Sequence, residues 1–164
     1  MKSQKRIFVD VGAAAIFGVT GGVTEAVLRH VIASSKPEVL EKISHMGVRG
    51  AEGLKEITVP FGDRELKIAI VNGLKNADNL MKKIKAGEVY YDFVEVMACK
   101  RGCVAGGGQP LPIGPRTKKA RLQALYNIDK QTQIKRSEEN PLVMGLYDGL
   151  LKGKVHKLLH NEKH

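Results

Sequence analysis

The sequence predicts an α/β fold: a sheet containing a parallel βαβ unit, with flanking helices, followed by a small helical C-terminal tail. Three observations lead there. A continuous apolar run, Ile68 to Val71, and a mostly apolar run, Tyr90 to Met97, have the length and β-branched content of buried strands. Between them, Leu74 to Ala86 carries Leu74, Ala77, Leu80, Met81 and Ile84 at helical spacing with lysines opposite, and strand, amphipathic helix and strand within about thirty residues make a parallel crossover. After Gln109 the composition shifts, because Pro110, Pro112, Gly114 and Pro115 form an extended connector to short basic and apolar helical segments.

From the start of the chain, Ile7 to Val11 reads as a short strand, and Gly12 to Gly18 continues without polar alternation, as a buried segment does. The glycines at 12, 18, 21 and 22 do not fit G-x-G-x-x-G, and no P-loop is present, so neither nucleotide fingerprint applies. A helix is predicted from Val23 to Ala33, with Val23, Ala26, Val27 and Val31 as its apolar stripe. Amides at such a helix start can face an anion, while close packing explains the glycines equally well. Pro37 to Ile43 is a second short helix, and Arg49 to Leu54 a loop. Ile57 to Phe61 and Arg64 to Val71 are strands joined by a hairpin turn at Gly62-Asp63. Gly87 stops the crossover helix. In the tail, Arg116 to Asn127 is a basic amphipathic helix, Ser137 to Pro141 a loop or helix start, Leu142 to Leu151 an apolar stripe, and Val155 to His160 a last helix. Such a tail has too little core to stand alone and is expected to wrap the α/β body.

The 164 residues suffice for one domain with a tail. No run of eighteen apolar residues and no signal peptide are found, so a soluble, cytoplasmic chain without a membrane partner is expected; two cysteines suit a reducing compartment. The net charge is +10, and the stretch from Arg116 to His164 holds eleven basic against five acidic residues. No zinc-finger, RRM or helix-turn-helix pattern accompanies that charge, and 5% aromatic residues are thin for base stacking, which argues against nucleic acid.

The chemistry concentrates between Phe93 and Pro110. A strand leads into Cys99 and Cys103, three glycines follow at 106 to 108, and Gln109-Pro110 closes the loop. Thiols four residues apart face together if the chain turns helically after the strand, and ligands collect beyond the carboxyl ends of strands in open α/β sheets. Thiolates select iron-sulfur clusters, zinc or cuprous copper; cluster iron usually takes four, so two are half a site. Backbone without Cβ lets amides approach sulfide closely. An inert buried pair, a redox disulfide, and zinc held with His156 and His160 are the other readings of this spacing. Glu95, mid-strand among apolar residues, reads as a buried, hydrogen-bonded carboxylate without a catalytic role. No nucleophile with a base is identifiable, which leaves hydrolytic chemistry unsupported.

The stretch Phe-Val-Glu-Val-Met-Ala-Cys-Lys-Arg-Gly-Cys-Val-Ala-Gly-Gly-Gly-Gln-Pro, from Phe93 to Pro110, resembles the last of the three cysteine signatures of the di-iron (iron-only, FeFe) hydrogenases. Ala14 to Arg29, with its Ile-Phe-Gly-Val-Thr-Gly-Gly-Val-Thr-Glu-Ala core, resembles another segment of that family. Arg121 to Asp129, Arg136-Ser137, Asn140-Pro141, Leu146-Tyr147 and His156 to His160 resemble its small-subunit region. The resemblance implies a large-subunit-like C-terminal half over residues 1–115 and a small-subunit-like region over 116–164. It implies a reversible oxidation of H2 to protons and electrons, and an H-cluster: a 4Fe-4S cluster linked to a di-iron subsite. Cys99 and Cys103 would be two of its four cysteine ligands, Cys103 also bridging to the di-iron subsite, with Met97 packed against that subsite. Phe17, Gly18, Gly21, Gly22, Gly106 and Gly107 would line the cofactor. The other ligands belong to segments missing from these residues, so the implied partners are an N-terminal hydrogenase half or another hydrogenase subunit, and ferredoxin or a similar acidic electron carrier. The family's two earlier cysteine signatures and its proton-relay cysteine have no counterpart, so the isolated chain is expected to be inactive. The alternative is a non-catalytic hydrogenase-like iron-sulfur protein, a sensor or an iron-sulfur assembly factor. Departures from the family's pattern are Lys100-Arg101 in place of a small pair, Ala14 for glycine and Thr24 for methionine.

Overall fold

The structure is a computed structural model that describes residues 11–32, 37–45, 49, 53–100 and 102–159. Its centre is a three-stranded sheet ordered β1 (Leu54–Phe61), β2 (Arg64–Asn72) and β3 (Phe93–Met97). β1 and β2 form the expected hairpin, closing at Phe61 and Arg64 around the Gly62-Asp63 turn, and β2 runs parallel to β3 from Ile68 beside Phe93 to Asn72 beside Met97. α4 (Leu74–Lys85) makes the crossover between them. β3 begins three residues later than the apolar run, because Asp92 binds Lys67 through both its amide and its carboxylate and fixes the point where pairing starts.

β2 is the central strand, and its alternating side chains divide the core. Ile68 and Ile70 pack with Leu28, Ile43 and Val59 on one face, whereas Ala69 and Val71 pack with Ala77 and Leu80 of α4 on the other. The molecule is thus layered, with α2 (Gly22–Val31) and α3 (Pro37–Ile43) on one side of the sheet and α4 on the other. The α4 stripe is narrower than its sequence suggests: Leu74 and Met81 remain exposed.

Before α2 the chain makes a four-residue helix, α1 (Gly12–Ala15), and a 3-10 turn at Ile16–Gly18. Of the strand expected over residues 7–11, only Val11 lies among the described residues, and it makes a single parallel bridge to Ile134. Gly22 is required at the start of α2, since a Cβ there would lie 1.7 Å from the Ile16 carbonyl oxygen.

The buried face of α2 is not the valine stripe. Thr24, Glu25, Leu28 and Arg29 are buried, while Val23, Ala26, Val27 and Val31 are only partly covered. Two polar constellations turn the helix this way. At its start, the Glu95 carboxylate of β3 accepts hydrogen bonds from the Gly21 amide at 2.8 Å, the Thr24 amide at 2.8 Å and the Thr24 hydroxyl at 2.6 Å. This satisfies orphan amides of the first turn and places a negative charge at the positive end of the helix dipole. One turn on, Arg29 donates to Glu25 at 2.6 Å and to both carboxylate oxygens of Asp129 at 2.7 Å. Arg49 donates to Glu25 from Nε at 2.7 Å and stacks 4.3 Å from the centroid of Tyr126. Burial by itself would lower the Arg29 pKa, but its hydrogen bonds to Asp129 and the charge of Glu25 prevail and hold it above the ordinary value. Arg49 is raised in the same way, with Glu25 outweighing burial, and burial pushes Tyr126 up to about 12.

Asp129 and Tyr126 belong to α5 (Pro115–Gln131), so this network fastens the tail to the body. The Gly12 and Ala13 amides add bonds to the Ile134 and Lys135 carbonyls. Beyond it the expected wrapping stops. α6 (Pro141–Asp148) and α7 (Val155–Leu159) contain no buried residue, and Leu142, Met144, Leu146, Tyr147, Leu158 and Leu159 are all exposed. No helix among the described residues is long and apolar enough to cross a membrane.

Removing one member of a largely buried charge cluster leaves its partner unpaired. Asp129→Asn is therefore expected to lower the free energy of unfolding by about 3 kcal/mol in urea titration, whereas Asp78→Asn, at the exposed Lys82 pair, changes it by about 0.5 kcal/mol or less. Equal effects at both sites would contradict the assigned role of the network. Glu95→Ala is expected to cost about 3 kcal/mol, because three buried donors lose their acceptor. Glu95→Gln, which keeps one acceptor oxygen, should cost about half as much by the same titration.

Candidate metal centre

Both cysteines follow the carboxyl end of β3. The chain there does not continue as the helix that would align residues four apart. It makes two tight turns instead: Gly102 donates to the Cys99 carbonyl at 3.0 Å, and a 3-10 turn over Cys103–Ala105 ends with Gly106 donating to the Cys103 carbonyl at 3.1 Å. Both thiols are free, Cys99 half-buried and Cys103 exposed. Gly106 lies directly against the first of them: a Cβ at Gly106 would be 2.7 Å from the Cys99 sulfur. Any other residue would push that thiol away or reshape the turn. Beside Gly107 and Gly108 there is open space.

The second wall of the site is the turn between α1 and α2. The position of a Cβ at Gly102 is 2.8 Å from the Thr20 hydroxyl and 3.8 Å from the Met97 sulfur, so the cysteine loop, Thr20 and Met97 meet at one point. Met97 is buried there, and its carbonyl accepts from the Gly73 amide at 2.8 Å. Asn72, also buried, donates to the Thr20 hydroxyl at 3.3 Å. Phe17, on the same turn, is 46% exposed, which for a phenylalanine at a wall of the site marks uncovered apolar surface. Gly18 backs onto Leu125 of α5, 3.0 Å from the position of its Cβ. The Gly21 and Gly22 amides are engaged within the protein, by Glu95 at 2.8 Å and by the Val19 carbonyl at 2.9 Å. The anion at the start of α2 is thus the chain's own carboxylate.

The third side is α5. Arg121 donates to the Val104 carbonyl at 3.0 Å and to the Pro110 carbonyl at 2.6 Å, gripping the loop on either side of its glycines. Of the departures noted in the sequence, Thr24 is buried with its hydroxyl on Glu95, Ala14 and Lys100 are exposed, and Arg101 lies outside the described residues. His156 is exposed on α7 and His160 is not among the described residues. Sequence reasoning singled out Cys99, Cys103, Met97 and the glycines but missed Thr20, Arg121 and Leu125. An arginine and a leucine four apart on the first helix after the connector were the available signal for the last two.

Among the described residues no three His, Cys, Asp or Glu side chains converge as a metal site. The donors at this loop are two thiols, half the usual thiolate set of a 4Fe-4S cluster, with a glycine pressed on one and unobstructed backbone beyond it. That arrangement fits half of an iron-sulfur site.

Comparison with known proteins agrees with this chemistry. Residues 2–107 match the family model "Iron only hydrogenase large subunit, C-terminal domain", and residues 115–162 match "Iron hydrogenase small subunit". The chain is 44% identical to the NADP-reducing hydrogenase subunit HndD of Solidesulfovibrio fructosivorans, over 92% of this chain and 26% of that protein. It is 39% identical to iron hydrogenase 1 of Clostridium pasteurianum, over 91% of this chain and 28% of that protein. A cytosolic Fe-S cluster assembly factor, narfl of Danio rerio, is 29% identical over 96% of this chain and 40% of its own length. Solved FeFe-hydrogenase structures from Chlamydomonas reinhardtii superpose with a TM-score of 0.59 at 34% identity, covering 88% of this chain and 44% of theirs. The chain therefore spans between about a quarter and under a half of these relatives. With two family models following one another along it, the chain belongs to the iron-only hydrogenase family and corresponds to the C-terminal part of an FeFe hydrogenase.

Proposed function

We propose that the chain forms part of a hydrogenase that interconverts H2 with two protons and two electrons, supplying two of the four cysteine ligands of a 4Fe-4S cluster. The observation that carries this reading is the pair of free thiols beyond β3, with Gly106 pressed on the Cys99 sulfur, in a loop that meets the turn before α2 where Gly102 lies against Thr20. Cys99, half-buried, and Cys103, exposed, would hold the cluster as thiolates, Cys103 being the one turned toward the di-iron part of the group. When bound, that group supplies the iron at which protons and electrons combine. The chain's own residues hold and seal it. Met97 packs beneath the cysteine loop, and Phe17 and Gly18 form the opposite wall. Gly106 leaves room for the Cys99 sulfur itself, and the open space beside Gly107 leaves room for bulky inorganic sulfur. Gly21 and Gly22 act by close packing, since their amides are already spent on Glu95 and Val19.

In this reading residues 1–115 are the large-subunit-like part and 116–164 the small-subunit-like part, acting in the cytoplasm. The remaining ligands come from an N-terminal hydrogenase half. The exposed apolar side chains of α6 and α7, and the edge of β3 left unpaired among the described residues, are surface for that partner. Electrons pass to an acidic carrier such as ferredoxin, drawn by the net charge of +10. The similarity to an assembly factor favours a second reading, a non-catalytic hydrogenase-like iron-sulfur protein.

Co-maturation with a polypeptide carrying the other two cysteine signatures is expected to yield hydrogen evolution from a reduced viologen, falling to background in Cys99→Ser and Cys103→Ser. Iron and sulfide uptake that depends on both cysteines, with no hydrogen evolved in any such pairing, would favour the second reading.

A further inference from the structure

We infer that Arg121 is a positioning residue that sets the shape of the cysteine loop, so that the small-subunit-like helix α5 controls the placement of both thiols. Its two terminal nitrogens bind the Val104 and Pro110 carbonyls, at 3.0 and 2.6 Å. These carbonyls flank the run Gly106 to Gly108, which has the least conformational restraint of any part of the loop. Beside Gly107 and Gly108 no protein atom stands within 4 Å of where a Cβ would lie, so no side-chain packing holds the span. Among the described residues its backbone hydrogen bonds are local: Gly106 bonded to Cys103, and a long 3.4 Å bond from Gln109 to Gly106. The guanidinium closes this span as a planar fork, which a single ammonium cannot reproduce.

The consequence reaches the thiols through Gly106. Because that glycine presses on the Cys99 sulfur, moving the loop uncovers or displaces Cys99. One turn along α5, Leu125 abuts Gly18 on the opposite wall. Arg121 and Leu125 lie four apart on one helix face and touch the two walls separately. α5 is itself anchored by Asp129 to Arg29 at 2.7 Å. The helix thus works as a gauge for the distance between the cysteine loop and the Phe17 turn. This inference rests on the proposed role of the thiols only for its meaning; the mechanical claim holds for the metal-free chain.

The test uses the full chain without metal, as wild type, Arg121→Lys and Arg121→Ala. In Arg121→Ala, amide hydrogen exchange over residues 104–110 should rise about tenfold or more, since local opening then meets no clamp. Iodoacetamide labelling of Cys99 relative to Cys103 should rise about fivefold, in line with its greater exposure. Exchange in α2 and α5 should stay unchanged. Arg121→Lys, which folds with the same charge, should fall between wild type and Arg121→Ala. Unchanged exchange and labelling in both variants would overturn the inference, as would a loss of protection spread evenly over the chain. Loading with ferrous iron and sulfide separates this claim from the functional reading. A wild-type chain that takes up no iron even when paired with a polypeptide carrying the other two cysteine signatures counts against that reading, while the labelling and exchange still decide the role of Arg121. In a chain that does load, the thiolate-to-iron absorption of Arg121→Ala should differ from that of wild type, and an identical spectrum would count against the inference.

Discussion

The Glu95 carboxylate is the point on which the site's geometry depends. It sits in the strand that delivers the cysteines and binds the first turn of the helix that forms the opposite wall. A strand end and a helix start have no intrinsic reason to lie at a fixed distance. Three hydrogen bonds to one buried carboxylate create one, with directional precision that apolar packing lacks. The cost is desolvation of a charge, offset by two backbone amides, a hydroxyl and the positive end of the helix dipole. The same contact engages the Gly21 and Thr24 amides within the protein, so these amides of the helix start are not offered to an outside anion.

The charge cluster around Arg29 makes the next connection. Glu25 and Asp129 are balanced by Arg29 and Arg49, so the buried set is neutral in sum. Among the described residues Arg29 leaves its Nε without a partner, a flaw that an apolar core would not carry. Buried ion pairs of this kind are weak sources of net stability, because desolvation consumes much of the attraction. What they provide is register: only one docking of α5 satisfies both oxygens of Asp129 together with the Glu25 carboxylate. Since α5 also carries Arg121 and Leu125, that register passes directly to the two walls of the site.

This hierarchy explains what could be read from the residues alone. The βαβ unit, the Gly62-Asp63 hairpin and the strand end that presents the cysteines were legible, because periodicity and turn residues are local signals. The buried character of Glu95 was legible too, as a lone acid within an apolar strand. The face of α2 was not. A valine stripe suggested one side, but long-range partners at positions 95 and 129 buried the side holding Glu25 and Arg29. The spacing of the two thiols would align them only if a helix followed the strand, and the chain there makes two tight turns around Gly102 instead. Leu74, Met81 and the apolar residues of α6 and α7 read as core and are exposed, since periodicity records amphipathicity without naming the surface that covers it.

Those exposed residues bear on how the two halves of the chain relate. α5 is tied to the body by a charge cluster and by Arg121, whereas α6 and α7 contribute no buried side chain at all. If the tail existed only to complete the core of these residues, its most apolar helices would be packed and its basic helix would be free; the reverse is found. The basic helix is attached by polar contacts of fixed geometry next to the thiols, and the greasy helices are presented outward. Polar attachment beside the site suits a part whose position must be held closely, and apolar surface beyond it suits a part that is covered by another segment. On that division of labour α5 holds the cysteine loop in place, and α6 and α7 present apolar surface.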